Sequence, residues 1–350
     1  MAHQMHPNKL TKHYWVWPIA WYLFLGGLGG GMLFCVGILD FVFMNMFGMD
    51  IGYVTALGVF IGVVALGVGS FLLIFELGQW KNFIRVWLSA TAIIKWGATL
   101  LVLAMVCGFV NFLFYLPPEW NLFWYPWTWL RNVCCAGMMF FGICVVVYTG
   151  VLLSTMKPKS FWNTPALPVL FTVSGLSTAT ALLAILAGLW PGYDYFSAYL
   201  GSAITQMYGA SYIPLVFSSY VETVTEVLHI ADSILVLMEI VVLLLFVLGQ
   251  RAAGNTTAKA VAKKWLTGSF AGLYWVGMIV IGTAGPFLLY RIGGIAASAI
   301  APVCVLAAGV LLRFLVVYSD QRRPIPGEER YYSRIAHGDE QFLQPWKTPY

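Results

Sequence analysis

The chain has 350 residues, of which 60% are hydrophobic and only 9% charged, against roughly 25% charged in ordinary soluble domains. That balance excludes a pair of water-soluble domains. The net charge of +5 follows from a membrane charge rule applied below, so no nucleic-acid partner is needed. Runs of about 20 apolar residues span a bilayer, and eight occur, at roughly 18–44, 53–77, 91–116, 131–155, 166–190, 223–249, 267–290 and 294–318. The expectation is an all-α, polytopic membrane protein with eight transmembrane helices in residues 1–320 and a charged tail over 321–350.

The first span opens with "WPIAWYLFLGGLGGGMLF", five glycines inside an apolar run. It is followed by Asp40 and has no small-residue cleavage site, so it reads as a retained span, not a signal peptide. Glycine costs an exposed helix about 1 kcal/mol relative to alanine, so something must offset it. A dinucleotide-binding loop needs G-x-G-x-x-G after a strand; from Gly27 the pattern fails at Met32. Small residues four apart do fit, Gly26 with Gly30 and Gly27 with Gly31, and such pairs let helices approach closely in lipid. Trp17, Trp21 and Tyr22 crowd the start of this span, and Tyr148 lies near the end of the fourth. With alternating spans the two regions share a membrane face. Aromatics at this depth act as interface anchors; a tyrosine hydroxyl in an apolar cleft would also suit a quinone carbonyl.

The same alternation sorts the charges. Sixteen of the nineteen Lys and Arg residues fall on one face, among them Lys9, Lys12, Lys81, Lys157, Lys159, Lys263 and Arg323. Only Arg131 and Arg291 fall towards the other, and Arg313 lies within the last span. The positive-inside rule places both termini in the cytoplasm of a cytoplasmic (inner) membrane; a basic docking face for an acidic partner would produce the same bias. The connection at 117–130 is rich in interfacial aromatics, and that at 191–222 is long and tyrosine-rich.

Six cysteines lie within or at the edges of apolar segments. No C-x-x-C or C-x-x-C-H occurs, so neither an iron–sulfur cluster nor covalent haem is signalled. Four of the five histidines lie in the tails, leaving His229 alone within a span; bis-histidine haem ligation and a metal site of spaced His and Cys ligands are both disfavoured. The sixth span places Glu222, Glu226, His229, Asp232 and Glu239 within an arc of about 140°. Ionisable groups at bilayer depth face the bundle interior, where they pair or line a water path. His229, Asp232 and Glu239 are therefore candidates for a proton pathway, or for a paired polar cluster that joins helices.

Four ordered stretches then carry a resemblance: "WPIAWYLFLGGLGGG" (17–31), "YTGVLLSTMKPKSFWNTPALPVLFTVSGLSTA" (148–179), "HIADSILVLMEI" (229–240) and "VLAAGVLLRFLVVYSDQ" (305–321). Through them the chain resembles the NrfD-like family, the quinone-interacting membrane subunits of polysulfide reductase and formate-dependent nitrite reductase systems. The resemblance implies eight helices in two four-helix bundles. It implies menaquinone or ubiquinone as cofactor, a ferredoxin-like iron–sulfur subunit and a further catalytic subunit as partners, and no haem or cluster on this chain. The family's quinone tyrosine falls on Tyr148, and a first-helix quinone ligand, histidine in polysulfide-reductase-type relatives, falls on Tyr22. The second-span "DLGRP" appears as Glu76-Leu77-Gly78-Gln79-Trp80, which, with Lys81, Lys157 and Lys159, marks the docking face. In relatives the quinone site and iron–sulfur partner lie on the outer face, opposite to the charge-based assignment. A transporter, with Gly282, Gly285 and Pro286 breaking the seventh span, and a purely structural anchor are the competing functional classes.

Overall fold

In lipid a backbone must satisfy its hydrogen bonds within itself, and every regular element among the described residues is helical. The computed structural model describes residues 17–46, 51–76, 93–115, 123–124, 126–156, 159, 161–189, 213–252 and 256–319; the 321–350 tail lies outside them. The elements are α1 (Trp17–Met46), α2 (Gly52–Glu76), α3 (Ile93–Leu113), α4 (Thr128–Ser154), α5 (Ala166–Leu189), α6 (Ile213–Ala252), α7 (Thr256–Thr267), π1 (Leu273–Ala284), α8 (Gly285–Ile292) and α9 (Ile295–Tyr318). Eight helical spans are long and apolar enough to cross a membrane. The protein is a polytopic all-α membrane protein.

Helix contacts divide these spans into two four-membered rings. One closes through α1, α2, α3 and α4; the other through α5, α6, the π1–α8 span and α9. Helix α1 joins them, packing on α2 and α4 within its own ring and on α5 and α9 across the boundary.

The glycines of α1 explain how one helix can serve so many neighbours. A methyl on Gly30 would lie 2.9 Å from the Gly142 carbonyl of α4, and one on Gly31 would lie 2.8 Å from the Gly175 carbonyl of α5. Gly26 faces Thr149 on α4, and Gly27 faces Gly175 on α5. The two four-spaced pairs thus form two separate seams, one to each ring. Close backbone approach supplies the van der Waals contact that drives helix association in lipid.

At the end of the first ring away from Trp17, a polar cluster ties α1, α2 and α4 to the turn that follows α3. Thr55 donates to the Asp40 carboxylate at 3.1 Å, Tyr115 donates to it at 2.9 Å, and Arg131 donates to the Tyr115 hydroxyl at 3.0 Å. At the opposite end three side chains pin connections to helix termini. Trp162 donates to the Val316 carbonyl (2.9 Å), Gln250 to the Phe161 carbonyl (2.9 Å) and Trp265 to the Ser319 hydroxyl (2.6 Å).

Three features differ from the sequence expectation. Helix α6 begins at Ile213, ten residues before the expected span, because Pro214 sits in the first turn, where its missing N–H costs nothing. The basic connection after α6 contains α7, whose apolar residues Ala258, Val261, Ala262 and Trp265 are buried while Lys259, Lys263 and Lys264 are exposed. The seventh span is not broken at Gly285–Pro286. Its first 12 residues wind as a π-helix and pass into α8 with Ala284 in helical geometry (φ −61°, ψ −40°). The wider turn absorbs a proline that cannot donate to the ladder.

Candidate functional site

Tyr148 lies near the C-terminal end of α4 and is buried. Its phenol lies across α3 at Gly97, where a methyl would overlap both the ring Cζ and the hydroxyl. Only glycine leaves that space. The Tyr148 hydroxyl is buried and has no hydrogen-bond partner among the described residues. Leaving a buried hydroxyl unpaired costs about 1–3 kcal/mol, so this oxygen is placed for a partner other than the described side chains and backbone.

Tyr22, in the second turn of α1, is 1% exposed and lies within electrostatic reach of Tyr148. A methyl on Gly69 of α2 would meet its ring at 3.6 Å, so α1, α2, α3 and α4 all contribute to this aromatic group. Trp21 is half-buried beside it, edge-on to Phe24 (6.0 Å) and to Phe314 of α9 (5.7 Å). Trp17 is 53% exposed at the first turn and stands apart from the buried group.

The sixth-span residues sort by depth. Glu222 and Glu226 are exposed, His229 is half-buried, and Asp232 and Glu239 are buried. Asp232 accepts hydrogen bonds from Ser177 (2.9 Å), Thr180 (3.1 Å) and Tyr290 (2.5 Å). The His229 ring lies 5.1 Å from that of Tyr290, and its Nδ1 has no partner among the described residues. Glu239 lies close to Ser174 and faces the charge of Arg313.

Arg313 of α9 is fully buried. It donates to the Ser174 hydroxyl (2.5 Å), the Gly309 carbonyl (3.2 Å) and the Phe171 carbonyl (3.3 Å), and its guanidinium stands over the Phe171 ring. Its Nη2 would lie 3.3 Å from a methyl on Gly27, at the boundary of the two rings. His229, Tyr290, Asp232, Ser177, Ser174, Glu239 and Arg313 therefore form a polar column through the second ring. It ends against α1, one residue from Gly26, which itself faces Thr149, the neighbour of Tyr148.

Sequence reasoning singled out Tyr22, Tyr148, Asp232 and Glu239 but missed Gly97, Tyr290 and the α5 hydroxyls. Arg313 carried a visible signal, a lone cation within an apolar span. Gly97 carried none, because its role depends on the crossing of α3 and α4.

The expected docking residues fare differently. Gln79, Lys81 and Lys157 lie outside the described residues, and Glu76 is described only as the last residue of α2. Lys159 is buried, with its amine 4.0 Å above the Trp162 ring. It does not project as a surface cation, because ring and stem together shelter it. Among the described residues, no group of three His, Cys, Asp or Glu side chains is placed to hold a metal.

The family described as "Polysulphide reductase, NrfD" matches residues 5–202, more than half of the chain. The protein is 28% identical to the C subunit of the polysulfide reductase of Wolinella succinogenes over 332 residues, covering 88% of this sequence and 94% of that one. It is 27% identical to protein NrfD of Escherichia coli K12 over 333 residues, covering 88% and 95% respectively. With its two helical rings sewn to one glycine-rich helix, the protein is a member of the polysulphide reductase NrfD family.

Proposed function

We propose that this protein is the quinone-reactive membrane subunit of a respiratory oxidoreductase complex. In this reading it exchanges electrons with an iron–sulfur subunit, and a further subunit carries the terminal chemistry. The unpaired Tyr148 hydroxyl, buried against Gly97, is the observation that carries it. A phenol O–H in an apolar setting can donate one hydrogen bond to a quinone oxygen while aromatic and aliphatic walls accept the ring. Menaquinone and ubiquinone both fit that chemistry, and when bound either supplies two-electron, two-proton redox capacity. Tyr148 and Tyr22 would hold and orient the ring.

The names of the two relatives, the C subunit of a polysulfide reductase and protein NrfD, support membership of a multi-subunit reductase. For docking we favour the end of the rings that holds Trp17 and α7. Exposed Lys259, Lys263 and Lys264 on α7 join Lys81 and Lys157 as the basic groups that would steer an acidic partner.

We further propose that His229, Asp232 and Glu239 conduct protons linked to quinone turnover. The polar column supplies titratable and hydroxyl groups in sequence through an otherwise apolar ring, and its last member reaches α1. Its approach to α1 at Gly27 supports a path that runs towards the helices carrying Tyr22 and Tyr148.

The test is to purify the complex and extract its lipids. One quinone per chain with a co-purifying iron–sulfur protein supports the reading, as does loss of most quinol turnover in Tyr148→Phe with the complex assembled. Full turnover in the Tyr148→Phe, Tyr22→Phe double variant would reduce the protein to an anchor, and solute uptake in liposomes without either partner would make it a transporter.

A further inference from the structure

Two thiols at the other end of the first ring from Tyr148 take no part in the site above. Cys107 of α3 and Cys134 of α4 lie on the facing sides of these two packed helices, near enough for each thiol to act on the other. The backbone geometry agrees independently. A methyl on Gly137 would lie 2.6 Å from the Cys107 Sγ and 3.4 Å from its Cβ. Gly137 is three residues beyond Cys134, on the same face of α4. Cys107 therefore inserts over the turn of α4 that begins at Cys134, where glycine lets the helices close.

The neighbouring thiol of Cys135 points elsewhere, donating to the Gly37 carbonyl of α1 at 3.3 Å. Cys107 is only half-buried, between exposed Val106 and Phe109, while Cys134 is buried beneath it, so an oxidant in the lipid would meet Cys107 first. The pair is also remote from the tyrosines. Ten residues separate Cys107 from Gly97, about 15 Å along the helix, and fourteen separate Cys134 from Tyr148, about 21 Å.

We propose that Cys107 and Cys134 are a redox-modifiable dithiol that a quinone dissolved in the bilayer oxidises to an interhelical disulfide. The S–S bond forms as two S–H bonds break. Two electrons and two protons pass to the quinone, which leaves as the quinol. A bridge at this point stitches α3 to α4, the two helices whose crossing seats the Tyr148 phenol on Gly97. The pair is thus a covalent lock on the same two helices that wall the proposed quinone site, yet it stands or falls without that site.

The test uses the full-length protein in native membranes, with a protease site introduced within the 117–122 connection. Membranes are treated with duroquinone, whose ring is fully substituted and does not alkylate thiols, then cleaved and run without reductant. The expected result is that the two fragments stay joined and separate on reduction. The bond should be lost in Cys107→Ala and in Cys134→Ala but kept in Cys135→Ala. Tyr148→Phe should also keep it, which separates this proposal from the fate of the quinone reading. Fragments that separate in the treated wild-type protein, or that stay joined in Cys134→Ala, overturn the proposal.

Discussion

The phenol of Tyr148 occupies the place where Gly97 would carry a side chain: a methyl there would overlap the ring carbon that bears the hydroxyl. A helix backbone, not a side chain, is therefore one wall of the candidate quinone site.

Gly97→Ala should move the Tyr148 ring while leaving the rest of α3 helical, since alanine is the better helix former. Misplacement of a reacting group by about 1 Å can cost on the order of a hundredfold in rate. We expect quinol turnover to fall roughly tenfold or more with the complex assembled. Gly67→Ala on α2, which meets nothing within 4 Å, is the matched control and should keep full turnover.

Asp232→Asn and Glu239→Gln each preserve side-chain shape and remove a proton site. If the column conducts, each should slow coupled turnover by about tenfold or more, in the range of lost acid–base participation, with normal assembly. Turnover and proton stoichiometry in proteoliposomes decide it. Unchanged values in both variants would make the column a structural polar cluster.

Arg313 is the only arginine buried to 0% exposure among the described residues, and Glu239 is the opposing charge that acts on it. Arg313→Met should remove the charge that Glu239 faces and leave the Ser174 hydroxyl without its donor, at a cost of about 1–3 kcal/mol. Pairing that change with Glu239→Gln should recover part of the loss. Thermal unfolding of the four proteins in detergent measures the coupling.

Both termini should lie in the cytoplasm if the charge bias governs insertion. A C-terminal fusion should then fluoresce as green fluorescent protein and be inactive as alkaline phosphatase. The reverse pattern would follow the family's outer-face arrangement, and basic residues would then mark docking in place of topology.

Much of the fold was legible because lipid imposes a simple grammar: length and apolarity alone located the eight spans, apart from the early start of α6 and the seventh span's start at Leu273 instead of 267. The four-spaced glycines of α1 were legible for the same reason, although their division between α4 and α5 needed the structure. The π-wound seventh span was not, since Gly282, Gly285 and Pro286 suit a break as well as a change of winding. Within the site, residues with unusual chemistry for their depth, Asp232 and Glu239, announced themselves. Gly97, Ser174 and Tyr290 are ordinary membrane-helix residues, and their roles come from which neighbour each one faces.

Helix α1 is the most enclosed of the eight spans and α3 the least, yet α1 is the first to be synthesised. Its two glycine seams wait for α4 and α5, and the surface that Arg313 covers waits for α9, the last of the eight. Until then the nascent helix presents naked grooves to lipid or to whatever chaperone the insertion machinery offers. A protein stopped before α9 therefore leaves the first of these helices unfinished.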